Sequence, residues 1–327
     1  MKSPAGASSP VPSGPVSSGP VSSSPVPRLS FGLPVYNGER SIGRTIESIQ
    51  KQTFGDFELV VSDNHSSDGT LRLITERSEG DPRIRVFPQP ANAGIVANFN
   101  RAFALSRGEY FRWIGADDWL EPAYAEKCVT LLDQHPEAIG VTTYQAHWSE
   151  RREKHYAEYQ GRRVDSPLAH ERFDACLWLL NADYRFFDPM YSLHRRRVLE
   201  HTHGLRPVLN GDQMLSAELS LLGPYVHVAE CLANRGIPRG NERGLLELLR
   251  PPGHPPLSRH PEQYLRLLHG LIQAAPLDAA QKLACYSSAL FYYLDKFEWS
   301  RIRPLRVFVG QKLRELGLPM DRLWPSA

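Results

Sequence analysis

Between Leu29 and Tyr144 the chain alternates between short apolar runs and stretches whose apolar residues recur at helical spacing, and no other feature restricts the fold as strongly. The apolar runs cover residues 29–35, 57–62, 84–88, 110–114 and 139–144. Each has strand length and is mostly apolar, as strands buried on both faces should be. Between them, Ile42, Ile46 and Ile49 fall on one helical face, as do Phe99, Ala102, Phe103 and Ser106, and then Tyr124, Cys128, Leu131 and Leu132. Connections this short imply right-handed crossovers and hence an α/β fold with a mostly parallel sheet flanked by helices.

In such sheets ligands bind beyond the carboxyl ends of the strands. The segments at those positions are unusually polar: YNGE (residues 36–39), DNHSSDGT (63–70), NAG (92–94) and GADD (115–118). In GADDWLEP, Asp117 and Asp118 follow an apolar strand and precede a helix opened by Pro122. Two carboxylates there can share a hard divalent ion, Mn²⁺ or Mg²⁺, whose remaining positions phosphate oxygens fill. A lone Asp pair could equally cap the next helix. Asp63 ends the second strand, where its carboxylate could accept a hydrogen bond from a nucleotide base or ribose, while Asp68 reads as a turn residue or cap. Asn92, Gly94 and Asn100 offer amide donors and close backbone approach, although Asn and Gly are ordinary in turns.

Beyond Tyr144 the pattern loosens. A charged stretch (150–154) is followed by an aromatic cluster of Trp178, Phe186 and Phe187 and by a Gly- and Pro-punctuated region to about Pro256. From Glu262 to Leu316 helical periodicity returns, in one stripe of Tyr264, Leu267, Leu268, Leu271 and Ile272 and another of Leu290, Tyr293, Leu294 and Phe297. This part reads as a helical cap. The last fifty residues carry Arg301, Arg303, Arg306 and further basic residues interleaved with Trp299, Ile302 and Phe308, which could rest on an anionic membrane surface. A helix packing its apolar face on the catalytic part is the favoured reading.

Charge and composition remove several classes. Lys and Arg total 38 against 36 Asp and Glu, so the chain has no global field to hold nucleic acid. No stretch approaches the roughly 18 apolar residues that a bilayer-spanning helix needs. Cys128, Cys176, Cys231 and Cys285 lie far apart, with no CxxC pair, and read as reduced core residues of a cytoplasmic protein. Residues 1–27, rich in Pro, Ser and Gly, lack a continuous apolar core for a targeting signal and are expected to be a disordered tail.

In order and spacing, LPVYNGE, VVSDNHSSDGT, NAGIVANFN and RGEYFRWIGADDWLEP resemble the family 2 glycosyltransferases of the GT-A fold, over roughly Leu29 to Tyr144. The resemblance implies a Rossmann-like nucleotide-sugar domain over 28–245, with a donor half at 28–145 and an acceptor half at 146–245, and a helical region at 246–327. It assigns Pro34, Tyr36, Glu39 and Asp63 to the nucleotide pocket and Asn92, Gly94 and Asn100 to the donor pocket. Asp117 and Asp118 become the metal motif, with Asp117 also on the donor. Family members often carry DxDD, whereas Gly115 stands here where the first acid would be.

The family's later signature, an acid opening an apolar helix followed by a short motif ending in Arg or His, matches GDQMLSAELSLLG and LANRGIP. Asp212 would then be the general base of an inverting transfer, with an N-cap as the plain alternative, and Arg235 would face the leaving diphosphate. Gly211 replaces the preceding acid of the usual pair. Asp183, Asp188, His194 and Arg195–Arg197 lie where acceptor contacts often fall in the family, or form a solvated loop.

The expected activity is sugar transfer from a UDP-, dTDP- or GDP-sugar to an acceptor the sequence does not name, with a soluble acceptor preferred. A sugar-phosphate nucleotidyltransferase would want a glycine-rich basic loop where YNGERS stands. The absence of GxGxxG after the first strand and of GxxxxGK[ST] argues against a dehydrogenase and a P-loop kinase. A catalytically inactive nucleotide-sugar-binding relative would explain Gly115 and Gly211, though not the joint retention of Asp63, Asp117, Asp118 and Asp212.

Overall fold

A computed structural model describes residues 26–148, 154–156, 158–159, 161–182, 189–208, 210–236 and 261–297. The tail through residue 25, Asp183, Asp188, Phe186, Phe187 and the basic segment from residue 298 onward lie outside the described residues.

The first half is a repeated strand and helix unit: β1 (Leu29–Val35), α1 (Ile42–Gln50), β2 (Phe57–Asp63), α2 (Thr70–Ser78), β3 (Ile84–Pro88), α3 (Ile95–Leu105) and β4 (Tyr110–Trp113). These strands lie in the order β3-β2-β1-β4, all parallel. The chain therefore winds one way from β1 to β3, then crosses back under the sheet to β4. That reversal leaves a crevice between the ends of β1 and β4, the place where open α/β sheets bind ligands.

Strand β1 shows how the sequence assigns the two faces of the sheet. Leu29, Phe31, Leu33 and Val35 join Ile42, Ile46 and Ile49 of α1 and the helix α4 (Tyr124–Gln134) in one core. The alternate positions are small, because the other face must admit α3 and an aromatic ring. A Cβ at Gly32 would lie 2.6 Å from Phe111 Cζ.

The second half is mixed, where parallel order was expected to prevail. After the short β5 (Trp119–Leu120) come β6 (Gly140–Trp148), β7 (Lys154–Tyr156), the helix α5 (Ala169–Ala182), a 3₁₀ turn (Pro189–Tyr191), β8 (Leu193–Arg195), α6 (Arg196–Leu199), α7 (Gly211–Leu222) and β9 (Tyr225–Gly236). Strand β8 inserts antiparallel between β4 and β6, and β9 runs parallel to β6 and antiparallel to β5.

This corrects the expectation that His194 and Arg195 belong to an acceptor loop or a solvated one. Both are buried inside the sheet. The Arg195 guanidinium donates to the carbonyls of Leu132, Ala138 and His135, closing the carboxyl end of α4. His194 Nε2 lies 3.0 Å from Tyr225 Oη, and burial pushes its pKa down to about 3, so the ring is neutral.

Two further helices, α8 (Pro261–Ala274) and α9 (Ala279–Phe297), are not peripheral to the core. Tyr264, Leu268, Leu271, Ile272, Cys285 and Tyr292 share one apolar cluster with Phe111 and Trp113 of β4 and with α5 and α7. Their burial ties the helical region to the face of the sheet opposite α1. No helix among the described residues is long and apolar enough to cross a membrane.

Candidate functional site

The loop after β4 is built as a rigid turn. Asp118 N donates to Gly115 O at 3.1 Å, and the Asp118 carboxylate accepts from Gly115 N at 3.1 Å. Helix α1 holds the loop from below. Thr45 Oγ1 sits 2.7 Å from Asp118 O and 2.9 Å from Ala116 O, and Arg44 donates to Asp117 O while its guanidinium lies 3.5 Å above the Trp119 ring.

From the far side, the end of β9 closes onto the same loop. Gly236 N donates to Asp118 Oδ1 at 3.2 Å. Arg235 Nε stands 3.7 Å from Asp118 Oδ2, an ion pair too long for a hydrogen bond, and its guanidinium lies 3.7 Å from the centre of the Tyr191 ring. The register is secured by Asn234, which accepts from Trp148 Nε1 and donates to Glu121. Arg235, which the resemblance places toward the leaving diphosphate, thus stands beside the acidic motif. Gly236, Thr45, Arg44 and Tyr191 went unnoticed in the sequence, where only the NRG triplet ending an apolar strand pointed to any of them.

The two carboxylates differ in kind. Asp118 is 2% exposed and is held by two backbone N–H groups and by Arg235. Asp117 has its own backbone N–H and the Arg235 and Arg44 charges in its favour, and these are outweighed. Burial above all, and then the neighbouring Asp118 charge, push its pKa up to about 6. An acid so destabilised as an anion is suited to a cation brought by a ligand. Among the described residues no group of three or more His, Cys, Asp or Glu could hold a metal ion by itself. A divalent ion here would depend on this pair and on ligand oxygens, which is how Mg²⁺ and Mn²⁺ are commonly held against a diphosphate.

Gly115 is explained by the same crowding. A Cβ on it would lie 2.8 Å from Asp118 Oδ2 and 3.1 Å from Asp117 Oδ1. Gly236 faces the pair from the other side, where a Cβ would lie 2.6 Å from Asp117 Oδ2.

Across the crevice, the loops after β1 and β2 interlock. Both Asp63 oxygens accept from Ser66, through its N–H and its hydroxyl, which leaves each a further lone pair. Asn37 and His65, with φ of 51° and 65°, adopt the left-handed conformation that lets the two loops meet. Asn37 Oδ1 accepts from Ser67 N, and Glu39 accepts from Gly69 N and donates its own N–H to Asp68. Glu39 therefore secures the loop. Tyr36 is 47% exposed at the crevice rim, while Pro34 is buried at the end of β1.

Asn92 and Asn100 are engaged in protein contacts. Asn92 accepts from Asn64 Nδ2 and from Gly94 N, where Gly94 opens α3 with a φ of 88°. Asn100 exchanges two hydrogen bonds with the Leu205 backbone and so fixes the segment that leads to α7. These residues shape the pocket wall through the chain they hold.

Asp212 is exposed in the first turn of α7, one position after Gly211, and Asn210 occupies the N-cap with a φ of 56°. The capping alternative for Asp212 is overturned. The 3₁₀ turn bearing Tyr191 packs against both β4 and α7 and stands between the Arg235 end of the site and the helix carrying Asp212.

The family model described as Glycosyl transferase family 2 matches residues 30–201. Among curated proteins, the chain is 39% identical to a chondroitin synthase of Escherichia coli over 216 residues, 64% of this chain and 29% of that protein. It is 35% identical to a hyaluronan synthase of Pasteurella multocida over 104 residues, 32% of this chain and 11% of that protein. The chain thus spans under a third of the length of these two relatives. Among solved structures, S. aureus TarS 1–349 in complex with UDP-GlcNAc superposes with a TM-score of 0.64 at 18% identity, over 86% of this chain and 76% of that one. The Pyrobaculum calidifontis mannosyltransferase PcManGT, in complex with GDP-Man and Mn²⁺, gives a TM-score of 0.52 at 15% identity, covering 81% and 74%. At these identities the structures establish a shared fold.

Proposed function

Since the chain belongs to glycosyl transferase family 2, with the family match covering more than half of it, we propose that it moves a sugar from a nucleotide diphospho-sugar to a hydroxyl group on a glycan chain end. The observation that carries this reading is the carboxylate pair at the β1/β4 crevice, clasped by the Arg235–Gly236 end of β9. The names of the chondroitin and hyaluronan synthases among its relatives motivate the glycan acceptor.

Asp117 and Asp118 would hold a divalent ion, Mn²⁺ or Mg²⁺, which when bound neutralises charge on the donor diphosphate. The residues of the chain do the rest. Asp63, Tyr36 and Pro34 line the nucleoside side of the crevice, and Glu39, Asn92, Gly94 and Asn100 keep its walls in place. Arg235 lends positive charge where the leaving diphosphate departs. Asp212 accepts the proton of the acceptor hydroxyl as its oxygen bonds to the anomeric carbon. The electron pair of the breaking C–O bond leaves with the nucleotide diphosphate, and the anomeric configuration inverts. Cys128, Cys176, Cys231 and Cys285 are free thiols, which suits a cytoplasmic location.

An inactive relative is disfavoured by the packing at Gly211 and by the carboxylates retained beside Gly115. Gly115 is hemmed in by the two carboxylates, and a Cβ on Gly211 would lie 2.3 Å from Arg206 O. Gly211 thus answers a backbone steric demand that needs no loss of activity to account for it, and the space beside Gly115 holds the two retained carboxylates.

The test is a thermal-shift screen against UDP-GlcNAc, GDP-Man and further UDP-, dTDP- and GDP-sugars, each with and without Mn²⁺, since a ligand that binds the folded state raises its melting temperature. Hits are followed by transfer assays on chondroitin and hyaluronan oligosaccharides. Metal-dependent stabilisation by one nucleotide class, with product formed, is expected. No stabilisation by any donor would refute the proposal.

A further inference from the structure

The two C-terminal helices reach the helix that carries the proposed base. Gln213, next to Asp212 in the first turn of α7, accepts two hydrogen bonds on Oε1, one from Tyr292 Oη and one from Lys296 Nζ at 2.6 Å. Both donors belong to α9, and Tyr292 Oη lies 3.2 Å from Tyr264 Oη of α8. The two tyrosine rings stack at 5.5 Å, with the Lys296 ammonium 5.3 Å from the centre of the Tyr292 ring. A chain of polar groups thus runs from α8 through α9 to α7 inside an otherwise apolar contact.

Such a network needs a reason, because a half-buried ammonium among aromatic rings is costly unless a negative group answers it. Among the described residues, the charges of Asp212 of α7 and Asp295 of its own helix act on Lys296, Tyr292 and Tyr264 line the same contact, and the Cys176 thiol of α5 lies beside both tyrosines. Burial lowers Lys296 to about 8, while the Asp212 and Asp295 charges pull it back up. Burial raises both tyrosines, which keeps them neutral donors at physiological pH.

We propose that Lys296 is a positioning residue for the reaction: from α9 it and Tyr292 fix Gln213, and its ammonium stands by Asp212 as the carboxylate takes the acceptor's proton. The helical region is then one wall of the acceptor site. This rests on the reading of Asp212 as the base. A grip on the first turn of α7 determines where the Asp212 carboxylate points, and small misplacements of a reacting group cost rate steeply.

The test compares Lys296→Met, Lys296→Arg and Asp212→Asn in the full chain, using the donor and acceptor selected by the screen above. Lys296→Met is expected to lower kcat about ten- to a hundredfold with little change in donor KM. Lys296→Arg, which keeps the charge and does not titrate near pH 8, is expected to retain most of the neutral-pH rate and to lose the fall in kcat above about pH 8. As a measurement without substrate, the side-chain Cε of Lys296 is followed by NMR during a pH titration, and its midpoint near 8 is expected to fall in Asp212→Asn, which removes a charge that holds it up. Circular dichroism and UDP-GlcNAc binding control for folding, and should Lys296→Met fail to fold, Lys296→Arg carries the test alone. Unchanged kcat in Lys296→Met, an alkaline limb that Lys296→Arg leaves in place, or a Lys296 titration indifferent to Asp212→Asn would each overturn the proposal. Normal transfer by Asp212→Asn would instead remove the base assignment, and the positioning role with it.

Discussion

Asp117→Asn is expected to make the metal-free protein more stable while destroying its metal response. Burial and the Asp118 charge raise the Asp117 pKa from its ordinary 3.8 to about 6. A carboxyl with a raised folded pKa holds its proton in the fold at pH values where the unfolded chain has released it. Stability therefore falls as pH climbs from about 4 to about 6 and carries the full penalty above that. That rise corresponds to about 3 kcal/mol, an upper bound because the new amide must itself find partners. Equilibrium urea denaturation without metal, at pH 4 and at pH 7.5, isolates the effect. The variant should match the parent at pH 4 and exceed it by up to about 3 kcal/mol at pH 7.5. Mn²⁺ with a nucleotide diphosphate should stabilise the parent and leave the variant unmoved. A variant less stable than the parent at pH 7.5, or one that still gains from Mn²⁺, would show that Asp117 is a structural acid.

Three other substitutions probe the same framework. Gly236→Ala places a methyl 2.6 Å from Asp117 Oδ2 and should weaken Mn²⁺-dependent donor binding with the fold intact, as read by isothermal titration and circular dichroism. Gly211→Ala meets the Arg206 carbonyl at 2.3 Å, backbone that cannot swing aside, and should lower stability by about 1–3 kcal/mol in urea titrations. Asp212→Asn should bind donor as the parent does and transfer sugar about 10² to 10⁴ times more slowly in single-turnover assays.

Most of the donor half was legible because its signals are local. A strand buried on both faces is written as a run such as LSFGLPV, and the loop that follows it is adjacent in sequence. β1 and β3 have the expected bounds, and the polar loops after β1, β2 and β4 do gather at one crevice. Strand β8 was illegible for a physical reason. His194 and Arg195 look solvated until Tyr225 and the carboxyl end of α4 supply their partners, all distant in sequence.

The same distinction separates residues that touch a ligand from residues that hold the ones that do. Motif matching treats Glu39, Asn92 and Asn100 alike with Asp117, because all four are polar residues in or just after the loops at strand ends. Hydrogen bonding sorts them. Glu39, Asn92 and Asn100 satisfy backbone groups of neighbouring loops, whereas Asp117 is left as a carboxyl that burial disfavours as an anion. Replacing a wall residue such as Asn100 should therefore disturb the Leu205 segment and stability together. Replacing Asp117 should trade metal response for stability, and that opposite sign is what identifies a group built for a ligand.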